Sequence, residues 1–518
     1  MEPQLRLGEL VATLALAQDN AFGQPLESQL RSCLFADWVC EAADLGQEVR
    51  ETAYWVALLR YVGCTGHAHE VATLFGDEIA IRAQTLVHDA ANPAEVMADV
   101  MSYATAGRSP DEREEIVRLI QETAREWAVY NFSSGCEVAD MLVQRLDVGP
   151  GVRDALRFTF ERWNGNGYPA HAKGEAIPLP MRVVHLSHDM EAIGRLFSPE
   201  HALAAARDRR DRTYDPALAD VFIEHGRGWF DRLREVEPWD AVLAVEPEPH
   251  RLLEGAELDE ALTIVADFID LKSPYMGGHS RRCAELTVAA ASVLGLPEAD
   301  IARLRRAALV HDFGTTVVPN SIWDKPGPLT RAEFDRVELH PMLTEQMLRR
   351  SPALAALNPA AAAHHEKCDG SGYHRRVPAD ADDLGACVLA AAEVYTGLTT
   401  ERADRPAFSA DDAAADLRRL ESEGVLEPRA SRAVLVAAGH GEPAANAGKR
   451  QRNPGGLTRR EVDVLRLAAK GLTTRQIGDR LHITPKTADH HIQHIYAKIG
   501  VSTRAAAALW AMQHTVVS

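Results

Sequence analysis

A chain of 518 residues, 46% hydrophobic and 25% charged, has room for three or four domains and the make-up of a folded globular protein. No apolar run approaches the length of a membrane span, and Met1-Glu2-Pro3-Gln4 lacks the basic-then-apolar pattern of a leader, so a cytoplasmic protein with no membrane partner is expected. Seven cysteines without a C-x-x-C pair point away from a disulfide framework or zinc ribbon, and a net charge of −19 argues against nucleic acid as a partner of the chain as a whole.

In chain order, the first half reads as a worn copy of the second. A shift of 251 residues lays Ser28 on His279, Arg60 on His311 and Tyr61 on Asp312, with Trp55-Val-Ala-Leu-Leu59 against Arg306-Ala-Ala-Leu-Val310. A shift of 205 lays Thr159-Phe160-Glu161 on His364-His365-Glu366, Gly165-x-Gly167-Tyr168-Pro169 on Gly370-x-Gly372-Tyr373-His374, and His188 on Glu393. The difference of 46 residues marks an insert near Gly66 to Tyr130, whose charged, alanine-rich stretches read as helices. Ser, Arg, Tyr, Thr and Phe rebuild no divalent site, so the first copy, residues 1–245, is expected to be metal-free. Its loop from Glu161 to Pro169 reads as a structural turn kept for folding, with nucleotide binding without cleavage as the alternative. His88-Asp89 is out of register with the repeat, and His67-x-His69 would not share a helix face; both are read as structural.

The second copy, residues 246–438, carries the chemistry. His311-Asp312 closes the apolar stretch Ala307 to Val310, setting a nitrogen and a carboxylate side by side against a greasy wall. Divalent ions such as iron, manganese and zinc favour mixed imidazole and carboxylate shells, and a bridging carboxylate can hold two ions close together. His279, His340, His364, His365 and Glu393 are the residues expected to complete such a shell.

The run His279-Ser280-x-Arg282, His311-Asp312, Lys325-Pro326-Gly327-Pro328-Leu329-Thr330, His340-Pro341, His364-His365-Glu366 and Asp369-Gly370-Ser371-Gly372-Tyr373 resembles the HD-GYP family over about residues 250 to 410. The resemblance implies an all-helical metallo-phosphodiesterase fold acting on cyclic di-GMP. It also implies one or two divalent ions, iron or manganese favoured and zinc the alternative. On it, the ligands fall at His279, His311, Asp312, His340, His364, His365 and, by substitution, Glu393, with Asp312 catalytic beside an ion-polarised water and Arg282, Thr315, Asp369, Gly372 and Tyr373 as the substrate contacts. Three departures stand out: Thr315 replaces the family's lysine, Glu393 replaces an aspartate, and His374, followed by Arg375-Arg376-Val377-Pro378, replaces the proline of the Gly-Tyr-Pro signature. Thr cannot offer positive charge to a phosphorane-like transition state, which weakens electrostatic stabilisation.

Residues 439–456, rich in Gly, Pro and polar side chains, read as a flexible linker whose Lys449, Arg450 and Arg452 add phosphate contacts. Residues 457–518 hold nine Lys or Arg against four Asp or Glu, so this segment carries +5 and the rest −24. Thr458-x-x-Glu461 is a capping box, Gly471 stops the first helix, Thr473 or Thr474 caps a short second, and Thr484-Pro485 starts a longer third that ends before Gly500. That order describes a helix-turn-helix, and Leu457-Thr-x-Arg-Glu461, Lys470-Gly-Leu-Thr473, Gln476-Ile477 and Lys498-Ile-Gly-Val501 within it are similar to the LuxR-type DNA-binding domain. Ala488, Ile492, Ile495 and Ile499 are expected in its core. Thr484, Lys486, Thr487, Asp489, His490, Gln493 and Lys498 are expected towards promoter DNA.

The expected fold class is therefore all-α: two tandem HD-like domains and a small helix-turn-helix. The favoured function is a homodimeric transcription regulator controlled by a metal-binding sensory module that takes a cyclic dinucleotide or other phosphorylated ligand. An active phosphodiesterase with a DNA-binding tail is the first alternative, and an inert dimerisation scaffold the second.

Overall fold

Leu7–Ala21 is apolar almost all the way round, and every residue of it except Glu9 is buried, the mark of a central helix. In the computed structural model, which describes residues 4–381, 383–441 and 454–517, it belongs to the first of two compact units, residues 6–253. Helices Ser28–Ala42, Gln47–Leu59 and Leu179–Leu196 pack with one another to form the body of this unit. Its ends are tied together: Leu7 N donates to Arg251 O at 2.8 Å, and the buried Glu246 carboxylate accepts from Gly8 N and Arg6 Nε, each at 2.9 Å. Those contacts hold residues 246–253 to the first unit, so the boundary falls after Leu253 rather than after residue 245.

The insert is helical. Ala68–Phe75, Glu78–Thr85, Pro93–Thr105 and the first half of the 37-residue helix Pro110–Leu146 close over a satellite core of Val71, Phe75, Ile81, Ala104, Ile116 and Ile120. Asp77 caps one of these helices through Ile79 N and Ala80 N, and a Ser109–Glu112 capping box with Pro110 at the first position starts the long one.

The second unit contains residues 254–518. Gly255–Asp270, His279–Val293, Glu298–Val310, Leu384–Thr399, Ala410–Ser422 and Pro428–Ala437 form its larger bundle. Of the expected linker, residues 442–453 lie outside the described residues; before them His440 Nε2 meets Tyr395 Oη at 3.0 Å, and after them Pro454–Gly456 makes a single tight turn. The helix-turn-helix domain then has helices Arg459–Ala469, Thr474–Leu481 and Pro485–Ile499, with the caps read from the sequence at Thr458, Thr473 and Thr484. A fourth helix, Arg504–Gln513, supplies Leu509 and Trp510 to the core. Sequence reasoning passed it over although Thr503, which accepts from Ala506 N, announces it.

The fold is all-α: the strands among the described residues, Leu5–Arg6 and Leu252–Leu253, are two residues long each. No helix of the described residues is long and apolar enough to cross a membrane.

Candidate metal centre and nucleic-acid interface

Five elements bring the sequence-predicted ligands to one point. His279 opens the helix His279–Val293, His311 and Asp312 follow Glu298–Val310, His340 opens His340–Leu348, His364 and His365 follow Asn358–Ala361, and Glu393 lies within Leu384–Thr399. Such burial of titratable groups is rare without a partner: His279, His311, His340 and His364 are each 0% exposed, Asp312 2% and Glu393 5%. Three of the rings are aimed by one device. Nδ1 of His311, His340 and His364 meets the carbonyl three residues earlier, of Ala308, Val337 and Ala361, at 2.7, 2.7 and 2.6 Å. With the proton held there, each Nε2 lone pair faces inward, the orientation a metal ligand needs.

Asp312 stands between two groups of donors. Its Oδ2 lies 3.5 Å from His311 Nε2 and 3.7 Å from His279 Nε2, while its Oδ1 lies 3.3 Å from His340 Nε2 and 3.5 Å from His364 Nε2. Glu393 Oε2 closes the first group at 2.9 Å from His279 Nε2 and 3.3 Å from His311 Nε2. His365 closes the second, its donor atom within 4.8 Å of those of His340 and His364. His279 Nε2, His311 Nε2 and Glu393 Oε2 approach one another without hydrogen-bond alignment and are left without partners, as ligands of a shared ion would be. The donor set fits divalent metal: His279, His311, Asp312, His340, His364, His365 and Glu393 would hold it, and it would supply polarisation of a phosphoryl oxygen and of a bound water.

Sequence reasoning missed Cys283, whose sulfur lies within 4.8 Å of the donors of His311 and Glu393. The signal was its place one turn after His279 on the same helix face. Without metal, burial, which would lower His311, is outweighed by Asp312 and Glu393, and the ring is held up to about 9, so its Nε2 carries a proton that a metal ion would have to displace. Asp312 is held well below the usual carboxylate range, because His311, His340 and His364 outweigh the burial that would raise it.

The expected substrate contacts fare differently. Thr315 is buried and its hydroxyl donates to Asp312 O at 2.7 Å, so it closes a turn. Arg282 braces Gly277 O at 2.9 Å and Thr400 Oγ1 at 3.3 Å. The Asp369 carboxylate accepts from Ser371 N and Oγ within its own exposed turn. Tyr373 does reach the centre, its ring 4.5 Å from that of His365. Gly372 is needed for close approach: a Cβ there would sit 2.3 Å from His365 O and 2.6 Å from Glu366 Cα. Glu366 is not a ligand; its Oε1 accepts from Arg375 N at 2.7 Å and holds the loop. Lys367, unflagged by the sequence, turns its Nζ into the interior, where burial pushes the ammonium down to about 8 against the pull of Glu393.

The first copy repeats the frame without the ligands. A Cβ on Gly63 would strike Gly135 O at 1.8 Å and Ala139 N at 2.8 Å; on Gly314 it would strike His340 O at 2.0 Å and Thr344 N at 2.8 Å. The shift of 251 thus gives way to 205 across the insert, and Gly135 stands where His340 does. The loop is kept too: Glu161 accepts from Ala170 N and Ala172 N, as Glu366 does from Arg375 N, and a Cβ on Gly167 would meet Glu161 Cα at 2.3 Å. In place of His311 and Asp312 the buried Arg60 guanidinium lies 5.1 Å over the Tyr61 ring. His67 packs against Gly135, and Asp89 pairs with Arg212 and Thr213, structural places for both residues.

On the helix Pro485–Ile499, Ala488, Ile492 and Ile495 are buried and Ile499 half-buried, while Lys486, Thr487, Asp489, His490, Gln493 and His494 are exposed on the opposite side. Thr484 is exposed as well but spends its hydroxyl on Thr487 N at 3.1 Å. Lys498 is committed elsewhere than expected: its Nζ lies 2.7 Å from Glu461 Oε2, locking the helix Arg459–Ala469 to Pro485–Ile499.

Fold and site together define an HD-type metal-binding domain joined to a helix-turn-helix domain. The HD domain family matches residues 263–428, and the bacterial regulatory proteins of the luxR family match residues 456–511. The chain is 30% identical over 413 residues to 3'3'-cGAMP-specific phosphodiesterase 3 of Vibrio cholerae, covering 79% of this chain and 90% of that one. It is 35% identical over 167 residues to a cyclic di-GMP phosphodiesterase of Pseudomonas aeruginosa, covering 32% of this chain and 40% of that one. The crystal structure of a cyclic GMP-AMP specific phosphodiesterase of V. cholerae aligns with a TM-score of 0.58 and 26% identity, over 84% of this chain and 98% of that one. The chain belongs to the HD-GYP family and carries a LuxR-family DNA-binding domain after its second copy.

Proposed function

We propose that this protein is a LuxR-type transcription regulator whose second HD-GYP copy holds two divalent ions and takes a cyclic dinucleotide as its signal. The observation that carries the reading is Asp312, whose two oxygens face two separate histidine groups at 3.3 to 3.7 Å. A carboxylate bridge of that kind suits a paired-ion site for a phosphodiester. In this reading His279 and His311, whose Nε2 atoms lie 2.9 and 3.3 Å from Glu393 Oε2, hold one ion with it, and His340, His364 and His365 hold the other, with iron or manganese favoured by the mixed shell and zinc the alternative. The relatives named for 3'3'-cGAMP and for cyclic di-GMP supply the two ligand candidates. Turnover is slow in this reading, because Thr315 brings no charge and its hydroxyl is committed to Asp312 O. The exposed face of Pro485–Ile499 reads promoter DNA as a homodimer, since one short helix-turn-helix makes few base contacts.

A second reading, an active phosphodiesterase with Asp312 as its catalytic carboxylate, is favoured by the full ligand set. One experiment separates the two. Full-length, metal-loaded protein is titrated with 3'3'-cGAMP and cyclic di-GMP by calorimetry, hydrolysis is followed in parallel, and promoter affinity is measured with and without ligand. Binding that changes promoter affinity with turnover well below about 1 s⁻¹ supports the regulator. Faster hydrolysis with unchanged promoter affinity supports the enzyme, and no binding of either dinucleotide overturns the proposed ligand.

A further inference from the structure

Lys367 sits on the loop that also carries His364 and His365, its side chain within electrostatic reach of His365 and Glu393. Its backbone is pinned on both sides, with Lys367 O accepting from Gly370 N at 3.0 Å and Ala379 N at 2.9 Å. Its Nζ is sealed from solvent and has no hydrogen-bond partner. An ammonium carries three donors and no acceptor, and burying it unpaired is costly. The acidic groups around it, Glu393, Asp369 and Glu366, make no hydrogen bond to it.

The first copy shows how the same register is satisfied when its anion is built in. The residue aligned with Lys367 is Arg162, 7% exposed, with its Nε unpartnered. It lies within electrostatic reach of Arg60 and Tyr61, which hold the places of His311 and Asp312, so a long cation at this position points at the centre in both copies. There the guanidinium donates to Glu161 O at 2.8 Å and lies within electrostatic reach of Asp189, whose carboxylate accepts from Tyr214 Oη at 3.0 Å. In the second copy the residue aligned with Asp189 is Val394, so no carboxylate is supplied at that position. Of the other cations nearby, Arg282 is committed to Gly277 O at 2.9 Å and Arg405 to Gly397 O at 2.6 Å, while Arg402 meets, among the described residues, only the Met276 thioether, at 2.8 Å.

We infer that Lys367 is the residue that binds the phosphodiester of the ligand in the second copy, the external anion replacing the carboxylate that Asp189 provides in the first. The inference rests on the ligand class proposed above and deepens it.

The test uses full-length, metal-loaded protein and calorimetric titration with 3'3'-cGAMP, cyclic di-GMP and inorganic phosphate, on the wild type, Lys367→Met and Lys367→Arg. Lys367→Met is expected to weaken binding of the phosphate-bearing probe at least tenfold, the scale of one charge-assisted hydrogen bond, with metal content and thermal midpoint unchanged; Lys367→Arg restores most of the affinity. Wild-type affinity in Lys367→Met overturns the inference. Loss of metal or of folding in Lys367→Met also overturns it, because the ammonium then serves the architecture. If the wild type takes neither dinucleotide but binds inorganic phosphate in a Lys367-dependent way, the proposed signal falls and the phosphate contact stands; if it binds no probe, both fall.

Discussion

Replacing Gly372 by alanine tests whether the loop positions the second ion's ligands. The added Cβ would lie 2.3 Å from His365 O and 2.6 Å from Glu366 Cα and Lys367 N, against ordinary contacts that begin near 3.4 Å. These neighbours are backbone atoms and cannot swing aside, so the segment carrying His365 must shift by about 1 Å in a close-packed interior. Such overpacking costs about 1–3 kcal/mol, and with roughly 2–4 °C lost per kcal/mol in a unit of this size the midpoint should fall by several degrees. Metal ligands tolerate displacements of only about 0.2 Å, so the ion at His340, His364 and His365 should be lost while that at His279, His311 and Glu393 stays. Gly167→Ala is the matched control: its Cβ meets Glu161 Cα at the same 2.3 Å, but Phe160 stands where His365 does. It should lower the midpoint comparably and leave metal content untouched. Scanning calorimetry and elemental analysis on the two variants decide the matter. Two ions and an unchanged midpoint in Gly372→Ala, or equal metal loss in both variants, would refute the reasoning.

Asp312→Asn removes the shared donor and should empty both sites, whereas His340→Ala should leave about one ion per chain; elemental analysis showing equal retention would remove the bridge from the argument. Thr315→Lys should raise cyclic dinucleotide hydrolysis by up to about a hundredfold, the scale of one transition-state contact, and unchanged turnover would put the cause of slowness elsewhere. In metal-free protein His311 is held up to about 9, above its ordinary 6.5. The stability from that proton is therefore full below pH 6.5 and lost as pH rises through 9, so the midpoint gain from added metal should widen over that window; a constant gain refutes it. Lys486→Ala should weaken binding to all DNA sequences and lower the salt slope, while Gln493→Ala should mainly relax sequence preference, both read in gel shifts at several salt concentrations.

The sequence made the helices legible wherever local chemistry decides them. Thr458, Thr473 and Thr484 cap as their spacing demands, and the buried stripe of Ala488, Ile492 and Ile495 follows from period alone. The cluster of histidines around Asp312 was legible because fixed motifs carry it. Other features were hidden because they depend on contacts distant in sequence. Nothing local announces that Lys498 would turn to Glu461, 37 residues away, rather than towards a phosphate. Nor does anything local show that the Arg282 guanidinium would be taken by Thr400 or that residues 246–253 would close back on Gly8 and Leu7. Arg504–Gln513 was readable from Thr503 and the alanine run, and was missed for want of an alternating polar face to mark it.

The repeat lets one half of the chain act as a control for the other. What both copies keep is not specific to metal chemistry, since one copy lacks the ligand set. The close approaches at Gly63 and Gly314, those at Gly167 and Gly372, and the loop bonds of Glu161 and Glu366 are therefore requirements of the fold. What only the second copy has, the inward nitrogens around Asp312, is what the proposed metal chemistry would use. The aligned pair Arg162 and Lys367 fits neither class: charge is kept while its neighbour changes from Asp189 to Val394. Burying an unpaired positive charge is costly, so the Lys367 ammonium, with no hydrogen-bond partner of its own, suits an anion bound from outside, as inferred above.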